Sequence, residues 1–318
     1  MRILLTGATG FVGRHLYPAL ADAGHTIVCG SRDPERAAAE LLDRTWQPID
    51  LGSGDSVRAA LRDCDAAFYL VHSLTDAGAD YPRQEEEAAT LFTRAADDAG
   101  VSRIIYLGGM APAGTSSRHL ASRLRTGEVL RAGSVPTFEL RASMIIGAGS
   151  ASWRICRDLA VRLPVMILPR WLRSRTQPIA IDDVVFALVA SLGLDIALAG
   201  DYDVPGPETM TAREILTHIA RLAGIHPLIV DVPLLTPHLS AYWIRLVTRA
   251  DAQLAAELVE GLRSDIVARD AGIWSLLPDH QRIPFDQAAR QALQAEEPTV
   301  SRMGHAIERA IHAAARRA

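Results

Sequence analysis

The chain has 318 residues, a hydrophobic fraction of 49% and a formal net charge of −4 at pH 7. This length suits one large α/β domain with an appended lobe, and the weakly negative charge excludes a general attraction to nucleic acid or to an anionic membrane surface. Neither a secretory signal nor a membrane span is predicted, and Cys29, Cys64 and Cys156 show no paired spacing, so we expect a cytoplasmic protein without a metal site.

Strands and helices are predicted to alternate along the first 110 residues. Short apolar runs predict strands at 2–7, 25–31, 45–51, 66–74 and 102–110, and helical spacing predicts helices at 13–24, 33–42, 56–64 and 85–100. Asp33 as N-cap and Pro34 in the first turn begin the second helix, and Gly100 ends the fourth. Apolar strands between amphipathic helices are typical of an α/β fold with a doubly wound parallel Rossmann sheet.

The second half of the chain continues this pattern less regularly. It predicts a helix at 117–133, strands at 137–147 and 200–206, and a strand-to-helix transition at 177–192. A capping box of Thr211 and Glu214 begins a further helix, and helical patterns dominate from about residue 206. We therefore predict a Rossmann domain from 1–147 plus 176–205, and a smaller, mostly helical substrate-side lobe from 148–175 plus 206–318.

A glycine-rich turn follows the first predicted strand. Gly7, Gly10 and Gly13 form a GxxGxxG motif between a strand and a helix. In a dinucleotide site such glycines allow a tight turn, a close approach of the backbone to the pyrophosphate, and close packing of the helix on the sheet. The phosphate would meet the free N–H groups of the helix N-terminus. The alternative is an ordinary strand-to-helix turn.

Several segments resemble those of one superfamily. TGATGFVGRHL at 6–16, together with YLVHSL, GVSRIIYLGGM, LRASMIIG and QPIAIDDV further along, is similar to the short-chain dehydrogenase/reductase superfamily in its extended and atypical, NmrA-like branches. The resemblance spans residues 1 to about 250 and implies an NAD(P)-binding Rossmann protein. It also implies cofactor contacts from the turn, at Gly7, Thr9, Gly10, Phe11, Val12 and Gly13.

The residues after the second strand bear on the choice of dinucleotide. Ser31 and Arg32 offer a hydroxyl and a planar cation that can bind a 2′-phosphate, whereas an acidic residue there would select NAD. NADP (NADPH) is therefore favoured over NAD. In the alternative, Arg32 is solvated and neutralised by Asp33.

The resemblance assigns the remaining cofactor contacts. Asp50 and Leu51 should frame the adenine, and Leu70, Val71 and His72 should line the ribose of the nicotinamide half. The backbone of LRASMIIG should hold the nicotinamide, with Ala142 standing where proline is usual. The further cofactor residues implied are Gly108, Ser143 and Met144.

The superfamily uses a tyrosine and a lysine four residues apart on one helix, and this chain contains no lysine. The residues that best match are His119 and Arg123. In one interpretation His119 is a proton donor with a pKa near neutrality that Arg123 tunes, while Arg123 also holds the nicotinamide ribose. In the other interpretation, both belong to a scaffold that has lost catalysis.

Other polar groups are weaker candidates. Ser73 follows His72 at the predicted end of the fourth strand. Asp182 and Asp183 are interpreted as helix-capping residues rather than catalytic ones. The arginines of the segment 169–175, which could meet an anionic substrate but are better explained as a solvated loop, are Arg170, Arg173 and Arg175.

The sequence thus favours an NADP-dependent oxidoreductase that acts by hydride transfer on a small hydrophobic carbonyl, enone or quinone. Apolar residues at 163–169 and 232–248 could cover the substrate, or they could be core. The alternative is a non-catalytic NADP(H)-binding redox sensor or assembly subunit. We expect a monomer or homodimer with no nucleic-acid partner.

Overall fold

The computed structural model describes residues 1–71, 80–114, 116–162, 165–169, 173–232 and 264–296. Two compact units make up the chain. The first unit is formed by Met1–Ser143, Ile181–Pro205 and Val267–Arg282, and the second by Met144–Ala180, Gly206–Ile266 and Ile283–Ala318. The segment Val267–Arg282 thus joins the first unit, whereas the sequence placed it in the second.

The strands and helices of the described residues are numbered in chain order. The strands are β1 (Arg2–Leu5), β2 (Thr26–Ser31), β3 (Thr45–Pro48), β4 (Ala66–Tyr69), β5 (Arg103–Gly109), β6 (Thr137–Ala142), β7 (Ile145–Ile146), β8 (Val165–Pro169), β9 (Arg175–Thr176), β10 (Ile179–Ala180), β11 (Gly200–Asp203), β12 (Met210–Thr211) and β13 (Leu228–Val232). The α-helices are α1 (Phe11–Asp22), α2 (Pro34–Glu40), α3 (Gly54–Leu61), α4 (Tyr81–Asp98), α5 (Arg118–Arg131), α6 (Ala151–Arg162), α7 (Ile181–Ala190), α8 (Ala212–Leu222) and α9 (Phe285–Ala295).

The first unit contains a seven-stranded sheet in the order β11, β6, β5, β4, β1, β2, β3, with every neighbouring pair parallel. Helix α1 packs against α7, and α4 packs against α3 and α5. The direction of strand succession reverses between β1 and β4, and the carboxyl ends of strands at such a point are where open α/β sheets bind ligands. The predicted fold class, a doubly wound parallel Rossmann sheet, is confirmed.

Apolar side chains fill the core of the first unit, in agreement with the continuous apolar runs of the strands. All four residues of β4 are buried, and Tyr69 packs edge-on against Phe92 and Tyr106 at centroid distances of 5.0 and 6.0 Å. The predicted helix ends are confirmed as well: the Asp33 carboxylate accepts the Arg36 N–H at 3.0 Å, and Gly100 follows α4 with φ +70°. No helix in the described residues is long and apolar enough to cross a membrane.

The second unit has short paired strands and three of the helices. Strand β10 pairs with β7, β12 with β9, and β13 with β8. Helices α6, α8 and α9 share a core whose members include Trp153, Ile219 and Phe285. Helix α8 begins with the predicted capping box, in which Thr211 and Glu214 exchange hydrogen bonds.

Candidate functional site

The glycine-rich turn joins β1 to α1 and lies against the end of β4. Gly7 has φ +68°, and a Cβ atom on it would lie 2.5 Å from the carbonyl oxygen of Leu70. A Cβ atom on Gly13 would lie 2.3 Å from the carbonyl oxygen of Gly7. The same oxygen accepts a hydrogen bond from the Gly10 N–H at 2.9 Å. Any side chain at these two positions would therefore collide with backbone, and the turn requires glycine for the reasons that a dinucleotide cradle does.

Thr6 fixes the turn to the neighbouring strand. Its N–H and its hydroxyl both donate to the Phe68 carbonyl, at 3.1 and 2.9 Å, and its Oγ1 accepts the Leu70 N–H at 3.1 Å. Thr6 is fully buried. Thr6 was not among the predicted cofactor contacts, although its place immediately before the first glycine of the motif could have indicated it.

The N-terminus of α1 has the features of an anion site. Among the described residues no side chain caps it, since Gly10 is the N-cap, and its first turn has no acidic residue. Thr9 and Gly10 are exposed, and Phe11 and Val12 are half-buried. The first N–H groups of a helix have no partner within the helix, so those of α1 can meet a phosphate group. The residues present therefore fit a pyrophosphate.

The predicted adenosine contacts follow β2 and β3. Ser31 closes β2, where its hydroxyl donates to the Asp33 carbonyl at 3.0 Å, and Arg32 is exposed. Because the Asp33 carboxylate caps α2, its negative charge interacts with the N-terminus of that helix. Asp50, after β3, accepts the Gly52 N–H through Oδ1 at 2.9 Å. Leu51 beside it is half-buried.

The predicted contacts to the nicotinamide half lie at the ends of three strands. Leu70 and Val71 follow β4, Gly108 lies in β5, and Ala142 ends β6. The Met110 N–H donates to the Ala142 carbonyl at 3.2 Å, which ties the ends of β5 and β6 together. Ser143 closes the first segment of the first unit and Met144 opens the second unit. His72, Ser73 and Arg170 lie outside the described residues.

Arg123 reaches the carboxyl end of β5 from helix α5. Its guanidinium donates to the Leu107 carbonyl at 3.0 Å, and a Cβ atom on Gly109 would lie 3.9 Å from its Cζ. In return, the Tyr106 hydroxyl donates to the Arg123 carbonyl at 2.9 Å. The Nε of Arg123 is buried and has no hydrogen-bond partner in the part of the chain that the structure describes. A fixed cation with a spare donor therefore lies at this sheet edge.

His119 lies one turn before Arg123 on α5 and is half-buried. Burial, and after it the Arg123 cation, lower the pKa of His119 to about 4. The expectation of a pKa near neutrality is therefore wrong, because the sequence showed the neighbouring cation but not the burial. At neutral pH the imidazole is uncharged, so it can donate a hydrogen bond from one ring nitrogen without being a strong acid.

The nearest tyrosine does not replace the missing proton donor. Burial raises the pKa of Tyr106 to about 12, and its hydroxyl is held by the Arg123 carbonyl. Behind α5, the buried Ser122 hydroxyl donates to the carboxylate of Glu85 on α4, and this bond fastens the two helices together.

Asp182 and Asp183 both lie in the first turn of α7. Asp183 is fully buried, and its Oδ1 lies 2.8 Å from Nε2 of His280. The His280 ring stacks on Phe186 at 3.9 Å and on Trp274 at 5.2 Å between centroids. Asp183 thus holds Val267–Arg282 on the first unit, a partner the sequence analysis missed. In the second unit, Arg175 forms an ion pair with Asp265 at 2.9 Å.

The fold is that of a Rossmann protein and the glycine-rich turn fits a dinucleotide, and comparisons with known proteins agree. Residues 7–137 match the family described as NAD(P)H-binding. The chain is 27% identical to a ceramide reductase of Caulobacter vibrioides over 73% of each chain. It is 29% identical to a (4-alkanoyl-5-oxo-2,5-dihydrofuran-3-yl)methyl phosphate reductase of Streptomyces griseus, over 70% of this chain and 74% of that one.

Solved structures share the fold at low sequence identity. A triphenylmethane reductase of Citrobacter has a TM-score of 0.72 at 17% identity, with 92% of this chain and all of that one covered. A nucleoside-diphosphate-sugar epimerase of Staphylococcus aureus has a TM-score of 0.71 at 17% identity, with 91% of this chain and all of that one covered. The predicted resemblance to extended short-chain dehydrogenase/reductases is confirmed as a likeness of the fold and of the NAD(P)H-binding domain. Residues 7–137 are thus similar to an NAD(P)H-binding domain, and the two curated relatives named above are reductases.

Proposed function

We propose that the protein is an NADP(H)-dependent reductase that transfers hydride to a carbonyl, enone or quinone carbon of a small hydrophobic molecule. The observation that carries the proposal is the guanidinium of Arg123, which lies at the carboxyl end of β5. The glycine cradle occupies the same edge of the sheet, two strands away at β1. The reductases among the relatives support the reaction class.

The dinucleotide, when bound, supplies hydride from its reduced nicotinamide ring. The chain must then stabilise the negative charge that develops on the substrate oxygen, and preorganised donors in a partly buried site do this most effectively. Arg123 provides a permanent positive charge at the carboxyl end of β5. His119, neutral at pH 7, provides a hydrogen-bond donor without competing for the proton.

The proton that completes the reduction has a different source from that in the tyrosine–lysine mechanism. An arginine side chain does not release its proton, and a neutral imidazole is a weak acid. The chain has no lysine that could lower the pKa of a tyrosine. We therefore assign the final protonation to solvent, with Arg123 and His119 holding the oxygen while its charge is negative.

The residues at the end of β2 support a preference for NADP. Ser31 is the last residue of β2 and the exposed Arg32 follows it, so neither of these two positions carries a carboxylate. Asp33, the first acidic residue, caps α2. A planar guanidinium can bind a phosphate through two parallel hydrogen bonds and can stack on adenine, so Arg32 favours the 2′-phosphate.

The second candidate function is a cofactor-bound protein without catalysis. The lack of a tyrosine–lysine pair supports it, as does 24% identity to the photosystem II assembly factor Ycf39 of Synechocystis over 74% of this chain and 71% of that one. Such a protein would bind NADPH and leave it unoxidised with every substrate.

Anaerobic turnover tests the proposal. The purified chain is mixed with NADPH and panels of quinones, enones and aldehydes, and the loss of reduced-nicotinamide absorbance is followed. We expect oxidation that depends on a panel member and that falls about 100-fold in kcat/KM in the variant Arg123→Gln, as when one oxyanion donor is removed. The control, Arg125→Gln, removes an exposed guanidinium of the same helix that pairs with Glu86 and should keep full activity. Equal activity in both variants would refute the role of Arg123.

A further inference from the structure

Two arginines bind successive carbonyl groups of the glycine-rich turn. Arg44 donates through a terminal guanidinium nitrogen to the Ala8 carbonyl at 3.1 Å, and Arg14 donates through Nε to the Thr9 carbonyl at 2.8 Å. The two neighbouring carbonyls are also engaged, since that of Gly7 accepts the Gly10 N–H and that of Gly10 accepts the Arg14 N–H. Four carbonyls in a row are thus held by groups of the chain itself.

This pattern matters because a phosphate is repelled by carbonyl oxygens and attracted by N–H groups. A peptide whose carbonyl is held on one side presents the N–H of the next residue on the other. With the carbonyls of residues 7–10 engaged, the rotation that would turn a carbonyl toward the pyrophosphate requires breaking a hydrogen bond. The two bonds donated by guanidinium side chains are of the stronger, charge-assisted kind.

Arg44 is itself firmly held. Its side chain is only 6% exposed, its Cζ lies 4.3 Å from the centre of the Tyr17 ring, and its Nε lies 3.5 Å from the Asp43 carboxylate. The Tyr17 hydroxyl donates to the Asp43 carbonyl at 2.7 Å, which fixes this loop to α1. Arg14 is half-exposed and forms its second contact with Glu40 at 3.1 Å. Arg44 is therefore the stiffer of the two anchors.

We propose that Arg44, assisted by Arg14, is a positioning residue for the cofactor. By holding the Ala8 and Thr9 carbonyls it fixes the turn in the conformation that receives the pyrophosphate. The inference rests on dinucleotide binding at this turn, which is part of the proposed function. Because the pyrophosphate is common to NADPH and NADH, loss of Arg44 weakens the binding of both dinucleotides to the same extent. Loss of a residue that contacts the 2′-phosphate would instead weaken the binding of NADPH alone.

The test measures Kd for NADPH and for NADH on the full chain, together with the melting temperature without cofactor. In Arg44→Gln we expect both Kd values to rise about tenfold, or about 1.4 kcal/mol each, with their ratio unchanged. Arg44→Lys should recover part of the loss, since an ammonium can still donate to the Ala8 carbonyl. Arg36→Gln, which removes an exposed guanidinium that pairs with Glu40, is the matched control and should leave both Kd values unchanged.

Four results would overturn the inference. A lower melting temperature with unchanged Kd values would assign Arg44 a purely structural role, and a loss confined to NADPH would make it a 2′-phosphate contact. A wild-type chain that binds neither dinucleotide would refute the proposed function and the inference with it, whereas normal wild-type binding matched by the variant refutes the inference alone. Arg14→Gln, at the half-exposed anchor, serves if Arg44→Gln does not fold, and should raise both Kd values about threefold.

Discussion

Replacement of Gly7 by alanine tests the cradle most sharply. The new Cβ would lie 2.5 Å from the Leu70 carbonyl oxygen and 2.8 Å from its carbonyl carbon. Both atoms are backbone at the end of β4, so no side-chain rotation relieves the overlap. The left-handed conformation at φ +68° costs alanine about 1 kcal/mol. Overpacking of this kind adds about 1–3 kcal/mol, so we expect a total loss of about 2–4 kcal/mol in the free energy of unfolding.

The chain offers a matched control for this change. Gly24, after α1, has φ +81°, and a Cβ atom on it would meet nothing within 4 Å. Gly24→Ala therefore carries only the conformational penalty of about 1 kcal/mol. The difference between the two variants isolates the collision with β4.

Urea unfolding of both variants and titration with NADPH form the assay. We expect Gly7→Ala to unfold at lower urea than Gly24→Ala and to bind NADPH at least about tenfold more weakly, because the new methyl separates β1 from β4 where the pyrophosphate would sit. Gly24→Ala should bind NADPH normally. Equal stability of the two variants, with unchanged NADPH binding in both, would refute the reasoning.

Three further predictions concern single side chains. Arg32→Ala should weaken NADPH binding about tenfold and leave NADH binding nearly unchanged, with Arg36→Ala as control. An equal loss of affinity for both dinucleotides in titrations would rule out a 2′-phosphate contact. The pKa of His119 is about 4 in the folded chain and near 6.5 in the unfolded chain, so the wild type should lose stability as the pH falls from 6.5 to 4. Urea unfolding at pH 7 and at pH 5 should show a smaller loss of unfolding free energy in His119→Gln than in the wild type. His280→Ala removes the 2.8 Å contact to the buried Asp183 carboxylate and should cost about 1.5–3 kcal/mol of unfolding free energy. His218→Ala breaks a partly exposed pair and should cost under about 1 kcal/mol, so similar losses in the two variants would contradict the structural role of His280.

Much of the fold could be predicted from local sequence. Most strand and helix runs, the Asp33 cap of α2 and the capping box of α8 depend on nearby residues, and the structure contains them. The glycine-rich turn could also be predicted, because the spacing of its glycines reflects close backbone contacts within a few residues. Thr6 follows the same logic and could have been assigned from its place in the motif.

Features that depend on distant contacts could not be predicted. The predicted strand 137–147 divides into β6 and β7, because β7 pairs with β10 in the second unit, and an apolar run does not disclose its partner. The pairing of Asp183 with His280 spans 97 residues. The low pKa of His119 arises first from burial, which is a property of the packed fold and not of the neighbouring cation that the sequence displays.

The most direct measurement of the central claim is the transfer of deuterium from NADPH that is labelled at C4 of the nicotinamide ring. The chain is incubated with the labelled cofactor and each panel member, and the products are analysed by mass spectrometry. We expect one of the two labelled epimers, and not the other, to deliver deuterium to carbon of a reduced product, and Arg123→Gln to slow this delivery. NADPH that binds but is oxidised by no panel member, and passes deuterium to no aldehyde or enone, would contradict a reductase and favour the non-catalytic alternative.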